Sequence, residues 1–230
     1  MKVDAGDLWT KATWLSDCVM LLPSVPYALQ VALIREPRPD GIVDVVAGGD
    51  DVAIYLVDPH VGLDVVEAFV RKVLTARNVQ SCAQKDVREG TETTYAPENR
   101  HVFTVHYGGP NTDLDEVADR LSIAVPALIR LHTGTPYRVV STGFSPGFAY
   151  CGPLPERLWL KRKAVPRLDV QAGAVAIAVG YTGVYPRMGA GGWWILGYLS
   201  PEQVQSLWTW EADPPARLRL GDEVHFVESE

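Results

Sequence analysis

Residues 143–152 read "GFSPGFAYCG", and how Ser145 is read within them decides between two kinds of fold. Gly143, Ser145 and Gly147 match G-x-S-x-G, the strand-to-helix turn that exposes a nucleophilic serine in α/β-hydrolases. In that turn the backbone N–H of the residue after the serine helps to bind the oxyanion. Here that residue is Pro146, which has no N–H. Gly147, Gly152, Pro153 and Pro155 also interrupt the stretch in which the helix would have to form. The motif is therefore not a hydrolase elbow, and Ser145 is expected to be structural.

Around this stretch the chain reads as short β segments separated by Gly and Pro. "HVFTVHYGG" (101–109) alternates, two short helices are predicted over 113–121 and 125–132, and "YRVVSTG", "AVAIAV" and "WWILGYL" follow. In "ARLRLGDEVHFV" (216–227) Leu218, Leu220, Val224 and Phe226 alternate with Arg217, Arg219, Glu223 and His225 about Gly221-Asp222, which predicts a hairpin. Together these segments predict a compact β-barrel or sandwich.

The first part of the chain is different. A strand is predicted over 17–22 and a helix over 27–35, bounded by Pro26 and Pro37. The apolar runs 42–46 and 52–57, split by Gly48, Gly49 and Asp50, predict a hairpin. Asp58 and Pro59 suit a helix start, and Val65, Val66, Phe69, Val70, Val73 and Leu74 recur on one helical face. Residues 88–100, "REGTETTYAPENR", are polar without a period and read as a linker. The expected organisation is a small α+β domain over 1–90 and a mostly-β domain over 91–230 that begins with two short helices.

The 230 residues are 47% hydrophobic, enough for one large core or two modest ones. A formal net charge of -7 argues against nucleic-acid or anionic-membrane partners, which demand a basic surface. No apolar run approaches the roughly 18 residues of a membrane-spanning helix, and residues 1–7 are not followed by the apolar region of a signal peptide. Cys18, Cys82 and Cys151 are odd in number and scattered, which fits a reduced cytoplasm.

Few residues stand out as chemistry. The helix pair around Ser122 has no basic face, which favours packing over DNA reading. His60, His101, His106, His132 and His225 have no metal-ligand spacing, so no metal site is expected. His132 closes a predicted helix and leads into "TGTPY"; it is either a proton-transfer residue or a helix-terminal histidine with a structural hydrogen bond. "VGYTGVYPRMGAGGWW" (179–194) lacks the G-K-[ST] of a phosphate loop. Its glycines would either let the backbone approach a ligand walled by Tyr181, Tyr185 and Trp193, or form barrel turns with packed aromatics. Arg162, Arg167 and Arg187 are candidate anion binders or simply solvated. In the pair Trp193-Trp194, alternation sends one ring outward, and Trp208 and Trp210 share a face, a pattern that suggests an apolar partner surface.

In order after "IRLHTGTPYRV", the segments "GFSPGFAYCGPLP", "VPRLDVQAGAVAIAVGYTGVYP" and "GGWWILG" closely resemble the family formed by the B subunits of 5-oxoprolinase. This family is also called allophanate hydrolase subunit 1 or the Kip-type inhibitor of a sporulation kinase. The resemblance covers about residues 95–230; the first 90 fit in order and length only. It implies an α+β N-terminal domain followed by a cyclophilin-like, mostly-β barrel. It further implies two partners, a large C subunit and a third, A-type subunit, which together with this one open 5-oxoproline to L-glutamate with ATP as co-substrate. On that reading His132 is the general acid/base and Arg167 binds an anion. Tyr150, Thr182 and Tyr185 orient the substrate, and Phe148, Gly183 and Trp193 complete the pocket. Tyr181, Gly189, Ala190, Trp194, Tyr198 and Leu199 stand where the family has mainly amide, hydroxyl and guanidinium groups, which takes hydrogen-bonding capacity out of the cleft. Two rival readings stay open: a regulatory protein that inhibits a sensor histidine kinase, and a diverged ligand-binding module without catalysis.

Overall fold

The computed structural model describes residues 5–75 and 99–230, and the chain divides into two compact units, Met1–Ala96 and Pro97–Glu230. In the first, strands β1 (Thr13–Ser16), β2 (Val19–Leu22), β3 (Ile42–Gly48) and β4 (Asp51–Leu56) form an antiparallel sheet in the order β1-β2-β4-β3. Helices α1 (Ala5–Lys11), α2 (Tyr27–Arg35) and α3 (Leu63–Thr75) accompany it. The run 42–57 forms the hairpin its pattern predicts, whereas residues 13–22 form a second hairpin rather than one strand. Helix α3 buries Val66, Phe69, Val70 and Val73, the stripe that spacings of three and four predict. It starts at Leu63, not beside Asp58, because the Asp58 carboxylate accepts the His60 N–H at 2.7 Å and holds a local turn instead. Most of the expected linker, residues 88–98, lies outside the described residues.

The second unit contains β5 (Arg100–Tyr107), β6 (Tyr137–Thr142), β7 (Ala149–Gly152), β8 (Arg167–Val170), β9 (Ala174–Ala178), β10 (Tyr181–Val184), β11 (Gly189–Gly191), β12 (Trp194–Leu199) and β13 (Glu223–Glu228). Its helices are α4 (Leu114–Leu121), α5 (Val125–Thr133) and the short α6 (Pro201–Gln205). Seven strands close into a barrel in the order β10-β7-β6-β13-β5-β12-β9, with β9 pairing back onto β10; β8 and β11 form a separate ribbon. An α+β unit and a mostly-β barrel are the architecture the resemblance implies. The barrel interior is filled by Phe103, Tyr137, Cys151, Ile177, Leu196 and Phe226 among others, together with apolar side chains of α4 and α5. Burial pushes the Cys151 thiol up to about 12.

Residues 143–148 make the turn between β6 and β7, where Phe148 N–H donates to the Ser145 carbonyl at 2.9 Å and Phe144 and Gly147 have positive φ. A strand, not a helix, follows Ser145, so no nucleophile elbow exists here.

Two expectations are corrected. Residues 216–220 form no strand, and β13 instead pairs in parallel with β5, Phe226 opposite Phe103, and antiparallel with β6. The cause is Asp222, whose buried carboxylate accepts from Asn99 Nδ2 and the Arg219 N–H and meets His101 Nε2 at 3.1 Å, tying the turn to the start of β5. Burial opposes its charge, but these bonds outweigh that and hold the carboxyl below the usual range. Trp193 and Trp194 alternate as expected, yet both are buried, because the sheet is covered on both faces. Among the described residues no helix is long and apolar enough to cross a membrane.

Candidate functional site

Strand alternation sorts the expected site residues onto two sides of the barrel wall. On β10, Thr182 and Val184 face the interior while Tyr181 and Gly183 face out. On β7, Ala149 and Cys151 point in, and Phe148 and Tyr150 lie on the other side. His132 and Thr182 thus belong to the interior, and Phe148, Tyr150, Gly183, Tyr185 and Trp193 to the outer face.

His132, near the end of α5, has 0% exposure and stacks on Phe226 with ring centroids 4.8 Å apart. Its tautomer follows from its neighbours. The single hydroxyl hydrogen of Thr182 goes to the Ala176 carbonyl at 3.2 Å, so Thr182 Oγ1 accepts from His132 Nε2–H at 2.9 Å. His132 Nδ1 then accepts from the Tyr107 hydroxyl at 2.6 Å. Burial lowers the pKa to about 3, leaving the ring neutral with both nitrogens committed. A proton-transfer residue must reach the reacting group; here both His132 ring nitrogens are engaged by hydroxyls in the core, an arrangement that fits the structural hydrogen-bonding alternative.

The outer face is aromatic. Phe148 makes edge contacts with Phe144, Tyr150, Tyr185 and Trp193 at centroid distances of 5.0–5.6 Å. Gly183 has a packing reason: a Cβ there would meet the Ala149 carbonyl oxygen at 2.7 Å and the Phe148 ring at 3.1 Å. It makes room for the Phe148 ring.

Arg167 opens β8, and its guanidinium grips Asp113 with two parallel bonds, Nη1 to Oδ2 at 2.8 Å and Nη2 to Oδ1 at 2.6 Å. Lys163 Nζ reaches Oδ1 at 2.6 Å and the Ile195 N–H reaches Oδ2 at 2.8 Å. Asp113 occupies the N-cap position of α4 but makes no capping bond; its carboxylate joins the helix start to β8 and β12 instead. Burial disfavours the charge, and the bonds from Arg167, Lys163 and Ile195 overcome it and lower the pKa. The fork of Arg167 is thus occupied by a protein carboxylate. Arg167 also lines a cavity of about 100 Å³, together with Asn111, Asp169, Val170, Gln171, Ile195 and Tyr198. His132 and Arg167 do not share this cavity.

Of the catalytic and substrate-binding residues expected from the sequence, Arg167 alone lines the cavity, beside Tyr198, one of the positions that departs from the family. Asn111, Gln171 and Tyr198 were not singled out as binding groups; the one signal was Asn111 beside glycines in a turn, where it adopts a positive φ of 64°. Among the described residues no group of three or more His, Cys, Asp and Glu side chains is placed to hold a metal ion. Residues 180–199 run through β10, β11 and β12 without a helix, so they lack the helix N-terminus of a phosphate loop.

The sequence profile of the carboxyltransferase domain, subdomain C and D, matches residues 27–218. The chain is 35% identical over 189 residues to the B subunit of 5-oxoprolinase from Escherichia coli O157:H7, covering 81% of this chain and 78% of that protein. It is 40% identical over 132 residues to the B subunit of 5-oxoprolinase from Bacillus subtilis (strain 168), covering 56% of this chain and 53% of that one. The crystal structure of TTHA0988 superposes with a TM-score of 0.70 at 29% identity, over 92% of this chain and 40% of that chain. With a profile match along most of its length and an extended relative of this identity, the chain belongs to the family of 5-oxoprolinase B subunits, within the carboxyltransferase domain, subdomain C and D.

Proposed function

We propose that the chain is one subunit of a 5-oxoprolinase-type complex, inactive or weak alone, that uses ATP to open the lactam of 5-oxoproline to L-glutamate with companion subunits of the A and C types. The likeness to proteins named as B subunits of 5-oxoprolinase carries this reading. The polar cavity beside Arg167 supports it, because it faces the solvent side of the barrel wall and offers groups suited to a small carboxylate with an amide. The Arg167 guanidinium suits the carboxylate, the side-chain amides of Asn111 and Gln171 suit a lactam N–H and C=O, and the Tyr198 phenol supplies a further hydroxyl. Phe148, Tyr150, Tyr185 and Trp193 form the apolar wall beside it. Phosphate handling falls to the companion subunits in this reading, and His132 with Thr182 keeps the barrel wall in register.

The test is reconstitution with the companion subunits and an assay of 5-oxoproline-dependent ATP hydrolysis, with and without this chain. Activity that requires the chain agrees with the proposal; an undiminished rate in its absence contradicts it.

A further inference from the structure

The outer face of the second unit carries exposed apolar side chains that its own fold leaves uncovered. Phe144, at the tip of the β6–β7 turn, is 63% exposed, Met188 is 67% exposed and Leu168 on β8 is 87% exposed. Trp208 adjoins the same turn, where a Cβ on Gly147 would lie 3.1 Å from the Trp208 Cβ, and Trp210, 77% exposed, stands edge-on to it.

Two cations lie beside this surface: Arg187 adjoins Met188, and Arg162 lies near Tyr185, which packs on Phe144 at 5.9 Å. Residues 157–168 contain Arg157, Lys161, Arg162, Lys163 and Arg167 and no acid. The segment is laid along the aromatic cluster: Lys163 N–H donates to the Gly192 carbonyl, Val179 N–H donates to the Leu160 carbonyl, and the Trp159 ring packs over Gly180. Lys163 and Arg167 are used internally by Asp113. Among the described residues, Arg157, Lys161, Arg162 and Arg187 are exposed and have no acidic partner. In a chain of net charge -7, Arg162 and Arg187 beside exposed aromatic and aliphatic side chains are complementary to an acidic surface with apolar anchors.

We propose that this face, centred on Phe144 and rimmed by Arg162 and Arg187, is where a companion subunit of the complex docks through an acidic strip carrying apolar side chains. The inference rests on the reading of the chain as one subunit of a complex. Apolar anchors supply most of the affinity in such a contact, while rim charges set the encounter rate and its salt dependence.

The test measures the affinity of the full chain for the isolated large companion, the C subunit, by titration at low and high salt. It compares wild type with R162E/R187E and with Phe144→Asn, which keeps a residue that tolerates the positive φ of 68° at this position. All three positions are exposed, so unchanged melting temperatures serve as the folding control. The expected result is binding by wild type that weakens with salt, a loss of at least about ten-fold in each variant, and a flatter salt dependence in R162E/R187E. Wild-type binding that all variants retain would overturn the docking face and leave the subunit reading standing. No binding by wild type would overturn both the subunit reading and the occupant named here.

Discussion

Asp113 and Arg167, 54 residues apart in sequence, meet through two parallel hydrogen bonds of 2.8 and 2.6 Å. They join the first turn of α4 to the β8 ribbon at the edge of the polar cavity. Asp113 is almost fully buried and also accepts from Lys163 and the Ile195 N–H. Removing its charge leaves Arg167 without the carboxylate it grips and Lys163 with only Glu116, 3.6 Å away. Asp113→Asn is expected to lower stability by about 2 kcal/mol in denaturant unfolding.

The same pair predicts an acid limb. The folded-state pKa of Asp113 lies below its unfolded value of about 3.9, so its contribution is present above about pH 4 and is lost as pH falls through the folded value. Asp222 acts in the same direction. The stability difference between wild type and Asp113→Asn should therefore shrink when unfolding is followed from pH 6 down to pH 3.

His132 predicts a second pH effect at higher pH. Its folded pKa of about 3 lies below the unfolded value of about 6.5. Above pH 6.5 the ring is neutral in both states and the effect is absent; below it the unfolded chain binds a proton that the core refuses. Wild type should lose about 2 kcal/mol between pH 6.5 and 5 from this group, and His132→Gln should lack that slope.

Gly183→Ala tests the packing reading of the outer face. The new methyl would meet the Ala149 carbonyl oxygen at 2.7 Å, a backbone atom that cannot swing away. The variant should be destabilised by about 1–3 kcal/mol, seen as a lower melting temperature.

Where one face of an element is apolar, local pattern reveals it: α2 spans the predicted residues 27–35, and Val66, Phe69, Val70 and Val73 form the buried stripe of α3. Alternation along 148–151 likewise separates Phe148 and Tyr150 from Ala149 and Cys151. What local pattern does not say is which of two apolar sides is the interior, and this is why His132 and Arg167 were expected in one concavity. The partners of Asp113 lie 50, 54 and 82 residues away, and β13 pairs in parallel with a strand more than 120 residues earlier. Such pairings depend on the closure of the whole barrel. Residues 217–220 alternate as a strand would but join no strand, since β5 and β6 pair with β13.

The central claim is that substrate meets this chain at the outer polar cavity and not in the barrel interior around His132. Arg167 is a poor probe because its loss also disturbs Asp113, so the direct measurement is KM for 5-oxoproline in the reconstituted complex carrying either of two other replacements. Q171L/Y198F removes two polar cavity groups and should raise KM about ten-fold, while Thr182→Val, which removes only the interior partner of His132, should lower the melting temperature and leave KM unchanged. A raised KM in Thr182→Val together with an unchanged KM in Q171L/Y198F would contradict the account.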